Sequence, residues 1–529
     1  MRLRFFFPLV AITILWGLNL RASTITGIVK GPDNAAFSGA FVEAQNLKTK
    51  ITVAVLSDTQ GHYRIENLTA GQYRIFIRAV GFIADPRTGV SLTADQNVSF
   101  DFNLQTGIVH WNDISVYQGK VLFPAGRGKD LLFKNCDICH GFQTRLASVT
   151  RDADGWRDRV QYMRTTMGYG LARFTDQDAS DLAAYLTTLF GPDFVLPKSS
   201  EEMPGYKDTV RPFSSDALNI VYVEYDMPGP SRMPFSAAPD KNGYLWIPNY
   251  GAANKITRLD PKTGEMQDFS VPNIGTAAIH SAIPAPDGSV WLAEQASNKL
   301  GRWDPETQQI TEYQDTRSKH TVRVDSNGNI WSTGSPLTKF DPITKKFTHF
   351  DEVAQSYDVK PDKNGDVWFT SLYGHEIGKV DGATMKVTQW APPTPGSGPR
   401  RMDIAPDGMI WADEFNAGKM TRFDPTTQTF KEYPLPGADP TPYALGFDAD
   451  GYLWYNSHHM DVVARFDPKT GNVIDYPFPH AEVDMREFFR DSQGRMWYGS
   501  NPNNKVGYFY LTKKTAEGAG KDLNQNHTH

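Results

Sequence analysis

The chain has 529 residues, too many for one domain, and its 44 Gly and 35 Pro with only 22% charged residues point to a β-rich, turn-rich protein. Its 54 basic and 60 acidic residues give a net charge of −6 with no basic stripe, which argues against nucleic acid as a partner. With two cysteines only, Cys136 and Cys139, three positions apart, a disulfide framework is excluded.

Residues 1–22 have the form of a secretory signal peptide. Arg2 and Arg4 precede an apolar stretch from Phe5 to Leu18, and a cleavage site follows Ala22. That stretch is shorter than the ~20 apolar residues a membrane-spanning helix needs. The expectation is a periplasmic or secreted protein with no membrane span in the mature chain.

Residues 23–105 alternate apolar and polar side chains in short runs, as in Tyr73-Arg74-Ile75-Phe76-Ile77, which is strand periodicity. The segment Asp58-Thr59-Gln60-Gly61-His62-Tyr63-Arg64-Ile65, followed by Leu68, Gly71, Tyr73 and Gly81-Phe82, resembles the carboxypeptidase regulatory-like domain. The resemblance implies a transthyretin-like β-sandwich with an accessory or carbohydrate-binding-like role.

Residues 118–195 change to helical periodicity. Trp156, Val160, Met163 and Met167 share one helical face. A second helix is predicted from Thr175 as N-cap with Asp178 three residues on, carrying an apolar stripe of Leu182, Tyr185, Leu186 and Leu189 up to Gly191-Pro192. Between them and the sandwich lies Cys136-Asp137-Ile138-Cys139-His140, the attachment pattern for a covalent c-type haem. Two thiols on one turn would reach the haem vinyl groups and His140 would ligate the iron, with Met163, or next Met167, as sixth ligand. A redox thiol pair would need a βαβ context, and a zinc site further ligands, neither of which is visible. The region resembles a small class I α-helical cytochrome c domain.

From residue 219 to 511 the chain repeats. Tryptophans fall at 246, 291, 331, 368, 411, 454 and 497, each three residues after a glycine of a tight hairpin turn. Seven such motifs, with only six outer strands after them, predict that Ile220–Tyr225 supplies the missing strand and closes a C-terminal seven-bladed β-propeller. Residues 512–529 are polar and expected to be a disordered tail.

The residue eleven before each tryptophan varies from blade to blade: Phe235, His280, His320, Tyr357, Arg400, Tyr443 and Arg486. A position that varies while its neighbours repeat is available for binding. Three after the tryptophan stand Asn249, Glu294, Gly334, Ser371, Glu414, Ser457 and Ser500. The repeat form Asp-Gly-x-hydrophobic-Trp, with Asn298-Lys299-Leu300-Gly301-Arg302, resembles the streptogramin (virginiamycin B) lyase family. That family opens a cyclic depsipeptide by elimination, with histidines of consecutive blades and nearby glutamates around a magnesium ion. The resemblance places His280 and His320 at the histidine positions. Ser318 and Gly334-Ser335 stand where its pattern has Glu, with Glu294 as the nearest substitute.

The chain thus reads as mainly β, with a sandwich, a small helical domain and a propeller. The expected function is electron transfer through one covalent haem, with the propeller binding a redox partner protein or a small-molecule substrate. Two alternatives stand beside it. One is a carbon–oxygen lyase using His280, Glu294 and His320 with a divalent metal in the propeller; the other is a carbohydrate- or peptide-binding module with a haem sensor.

Overall fold

The structure, a computed structural model, describes residues 22–512 apart from 138–139, 167–173, 194–198, 204 and 354. The signal segment through residue 21, Cys139, Met167 and the tail from residue 513 lie outside the described residues. Among those described, no helix is long and apolar enough to cross a membrane.

The N-terminal domain is a β-sandwich. In one sheet Ser23–Lys30 lies between His62–Leu68, antiparallel, and Asn97–Ser99, parallel. The other runs Ile51–Leu56, Phe41–Asn46, Gly71–Arg78, Arg87–Leu92. Alternation along His62–Leu68 buries Tyr63, Ile65 and Leu68 and leaves His62 and Arg64 exposed, so the period of two produces the core face directly. Ile25, Val42, Ile75 and Phe102 pack into the same core. Gly27 is required where the first strand crosses Phe100, because a Cβ there would sit 1.9 Å from the Phe100 carbonyl oxygen.

Six four-stranded antiparallel sheets follow in the second half of the chain, and a seventh is completed from both ends of it. Phe489–Arg490, Met496–Ser500 and Lys505–Leu511 are joined by Ile220–Asp226, paired from Ile220 opposite Leu511 to Asp226 opposite Lys505. This is the expected closure of a seven-bladed propeller. The same strand pairs along its other edge with Ile51–Leu56 of the sandwich, Tyr222 opposite Ala54. The two domains therefore share one continuous eight-stranded sheet, and the outer edge of the closing blade is covered.

The repeat signature has a mechanical basis. Each turn glycine holds φ between +79° and +89°, a left-handed conformation that costs other residues more. In five blades the aspartate six before the tryptophan accepts from its indole nitrogen, from Asp240 to Trp246 in the first blade to Asp491 to Trp497 in the last. The other carboxylate oxygen of Asp240 accepts the turn N–H groups of Asn242 and Tyr244. One aspartate thus fixes both the turn and the buried ring.

Between sandwich and propeller lie helices α1 (Val116–Leu122), α2 (Arg127–Leu131), α3 (Ala153–Thr166) and α4 (Asp176–Phe190). The start of α4 is the expected capping box, with Thr175 accepting from the Asp178 N–H and Asp178 accepting in return from the Thr175 N–H. Trp156, Val160, Leu182, Leu186 and Leu189 are buried together. The centre of this core is aromatic: Phe123 lies 4.7 Å from Trp111, 4.8 Å from Phe142 and 6.0 Å from Phe190 between ring centroids. A cytochrome domain, in which haem was expected to supply the core, is not evident; the segment builds its core from its own side chains.

Candidate functional site

The seven residues at the repeat position eleven before the tryptophan meet at one mouth of the propeller and form a closed ring. Phe235 lies edge-on to His280 at 4.9 Å, His280 lies against His320 at 3.6 Å with the rings tilted by 33°, and His320 meets Tyr357 at 4.6 Å between centroids. The Tyr357 hydroxyl is 2.5 Å from that of Tyr443, which accepts from Arg486 Nη1 at 2.5 Å. The Arg486 guanidinium returns to Phe235 at 5.0 Å, and Arg400 covers the Tyr443 ring at 3.4 Å. All seven are buried.

Local backbone explains the aim of these side chains. The innermost strands carrying His280, Arg400 and Tyr443 each have a register irregularity at that residue, between Ile279 and Ser281, Pro399 and Met402, and Pro442 and Leu445. A bulge turns a side chain out of the sheet's alternation and frees backbone groups from the ladder. In four consecutive blades the side chain two after the tryptophan accepts from an innermost-strand N–H: Thr333 from Thr321, Thr370 from Asp358, Asp413 from Arg401 and Asn456 from Ala444. Sequence reasoning did not single out these caps, although their polarity between buried neighbours was a usable signal.

Beneath the ring the next residue of each strand forms a second layer, also missed. Arg401 Nη1 donates to Thr321 Oγ1 at 2.9 Å and Glu487 Oε1 at 3.2 Å and lies 3.3 Å from Asp358; Arg323 donates to Glu487 at 2.6 Å. Except for Arg323, these residues lie directly next to the ring residues in the chain, and their buried ion pairs tie the third, fourth, fifth and seventh blades together.

Burial, with Arg401 and Arg486 nearby, pushes the His280 imidazole well below its usual range; burial and the adjacent His280 do the same for His320. Both are neutral at pH 7. His320 Nδ1 is 3.1 Å from Thr321 Oγ1, and His280 Nδ1 is buried with no hydrogen-bond partner among the described residues. Glu294 is turned elsewhere. Its carboxylate accepts from Ser297 Oγ at 3.0 Å and lies over Gly301, within its own blade. Burial, with Glu312 beside it, raises Glu294 to about 7. The structure thus brings His280 and His320 together and seats Glu294 in blade packing.

The helical segment docks beside the ring. Thr144 donates its N–H and hydroxyl to Glu482, Gln143 donates to Asp461, and Lys120 pairs with Asp439. Asp137 Oδ2 lies 2.6 Å from His459 Nε2, and the Asp137 carbonyl is 3.0 Å from His458 Nε2. His458 reaches the ring itself, 6.2 Å from Tyr443. His140 is buried in this interface with Nδ1 on the Gly141 carbonyl at 2.7 Å, and burial followed by Arg145 holds it well below its usual range. Cys136 and Met163 are each half-buried.

A propeller with a ring of His, Tyr and Arg is compatible with ligand binding but defines no single chemistry. Comparison narrows it. Residues 320–519 match the virginiamycin B lyase family, and residues 24–105 match the carboxypeptidase regulatory-like domain. A virginiamycin B lyase from Staphylococcus aureus superposes with a TM-score of 0.51 at 20% identity, covering 55% of this chain and 99% of that one. A streptogramin B lyase gives 0.52 at 21% identity, covering 56% and 100%. A search of curated proteins returned no match.

These matches identify a carboxypeptidase regulatory-like domain fused to a virginiamycin B lyase-like propeller, and they correct the expected main function. Electron transfer through a haem on Cys136, Cys139 and His140, with Met163 or Met167 completing it, is not supported: the similarities lie in the sandwich and the propeller. The structure instead uses the segment ending in His140 to dock the helices on the propeller. The lyase-type reading is the better supported.

Proposed function

We propose that the chain is an exported lyase-type propeller protein that binds an ester-bearing substrate at the ring and cleaves a carbon–oxygen bond by elimination. The observation that carries this reading is the closely packed, neutral His280–His320 pair at the mouth of a propeller matched from residue 320 onward to the lyase family.

A neutral imidazole is a competent base at pH 7. In the proposed step His320 removes the proton on the carbon beside the one bearing the ester oxygen. The released electron pair forms the carbon–carbon double bond, and the carbon–oxygen bond breaks toward the leaving carboxylate. Arg400 and Arg486, part of the same ring, stabilise the negative charge that develops on that group. His280, packed against His320 at 3.6 Å, restricts its orientation.

The magnesium ion that the resemblance implies does not fit these residues. Ser318 and Gly334 offer no carboxylate, Glu294 is engaged with Ser297, and three guanidiniums depress both imidazoles. No step is assigned to it.

The test is incubation of the full chain with a streptogramin B depsipeptide, followed by mass spectrometry and ultraviolet detection of the new double bond. Elimination opens the ring without a mass change, whereas hydrolysis adds one water. Ring opening without mass gain, lost in His320→Ala, supports the reading. No turnover, or hydrolysis that persists in His320→Ala, overturns it.

A further inference from the structure

A second cluster of ligating side chains lies outside the ring, where the helical segment meets the sixth blade. Asp137, His458 and His459 each offer one ligand atom, and the three atoms lie within 4.8 Å of one another. The residues are 3%, 1% and 5% exposed. Asp137 Oδ2 and His459 Nε2 face each other at 2.6 Å, and His458 Nδ1 is buried without a hydrogen-bond partner among the described residues. A buried ring nitrogen is normally paired, and this one, beside a carboxylate and a second imidazole, needs an account.

The opposite ring nitrogens supply one. His458 Nε2 faces the Asp137 carbonyl oxygen at 3.0 Å; a carbonyl only accepts, so Nε2 carries the proton and Nδ1 is the unprotonated nitrogen, with a lone pair available to a ligand. His459 Nδ1 faces Asp439 Oδ2 at 2.7 Å, and Asp439 is held in place by Lys120. Donation to that carboxylate leaves His459 Nε2 as the inward atom. Metal-ligating histidines are oriented in this way, with the outer N–H on a carboxylate or backbone carbonyl.

We propose that Asp137, His458 and His459 bind a divalent transition-metal ion of the zinc type, through two imidazole nitrogens and one carboxylate oxygen. This donor set suits zinc or iron(II) and leaves at least one coordination position for another ligand. The ion would join the helical segment to the propeller next to Tyr443. An imidazolium at His459, paired with Asp137 at 2.6 Å, is the competing account of the same atoms. It leaves the buried His458 Nδ1 without a partner among the described residues, whereas a metal would draw one ligand atom from each of the three residues. On binding, any proton held by His459 is released.

The experiment uses the full chain, stripped with a chelator and titrated with zinc chloride by calorimetry in two buffers of different ionisation enthalpy, with metal analysis after dialysis. Wild type and a Cys136→Ser/Cys139→Ser variant are expected to take up one zinc per chain, and Asp439→Asn to weaken binding by about 10–100-fold. His458→Ala in the cysteine-free background should abolish it with an unchanged far-ultraviolet spectrum; if that variant does not fold, Asp439→Asn alone decides. No stoichiometric uptake, binding unaltered by Asp439→Asn, or binding lost in the cysteine-free variant overturns the proposal. Cobalt(II) adds an independent readout, since a thiolate charge-transfer band in wild type would place the ion on the cysteines instead.

Discussion

The hydroxyl of Tyr357, in the fourth blade, and that of Tyr443, in the sixth, meet at 2.5 Å across the propeller mouth. The intervening Arg400 of the fifth blade lies over both rings, at 4.9 and 3.4 Å. Tyr443 also accepts from Arg486, so it is the hinge of the ring's polar half. Tyr443→Phe removes both contacts while keeping the aromatic face for Arg400. The expected loss is about 1–3 kcal/mol of stability, read from denaturant unfolding, because the Arg486 donor is left in a dry site. A change below the error of that measurement would show that the mouth hydrates freely.

The side-chain caps on the innermost strands give a second prediction. Thr370 accepts from the Asp358 N–H and donates to the Arg400 carbonyl at 2.7 Å. Thr370→Val keeps the shape and strands two buried backbone groups, at a cost of about 1–3 kcal/mol. Thr348→Val, on the exposed side of an outer strand, should change stability by less than about 0.5 kcal/mol.

The shared sheet gives a third. Val223 sits opposite Tyr508 on one edge and Val53 on the other, so no side of its strand faces solvent. Proline is confined to strand edges and ends. Val223→Pro should therefore abolish soluble, monodisperse protein on size exclusion, and a normal elution profile would refute the continuous sheet.

Glu414 gives a pH prediction. Burial, with Glu432 next to it, raises its carboxyl from 4.5 to about 7. The folded state therefore favours the protonated form. The stabilisation is complete below about pH 4.5 and is lost as pH rises through 7. Glu414→Gln should match wild type near pH 4.5 and melt roughly 2–4 °C higher at pH 8. Equal shifts at both values would show that the side chain is solvated.

Much of this architecture is visible in the bare chain because repeats expose phase. The spacing of tryptophans and turn glycines sets the blades, a count of outer strands finds Ile220–Tyr225, and the same phase brings His280 and His320 to one mouth. The position three after the tryptophan has the opposite outcome: Glu294 stays within its blade, because side chains there pack on the next strand rather than on the axis. Alternation does not show which innermost-strand N–H groups take a side-chain acceptor, so the caps from Thr370, Asp413 and Asn456 are not legible in it. The meeting of Asp137 with His459 joins residues with no local relation in the chain. The motif at Cys136–His140 illustrates the reverse error, a strong local pattern read without its tertiary surroundings.

The double-sided strand at Ile220–Asp226 also orders events during synthesis. It leaves the ribosome well before Lys505–Leu511, its partner in the closing blade, exists. In that interval its other partner, Ile51–Leu56, has already been made as part of a domain with its own core. The sandwich can hold the strand as a template while six blades accumulate, which leaves one edge rather than two open to other nascent chains.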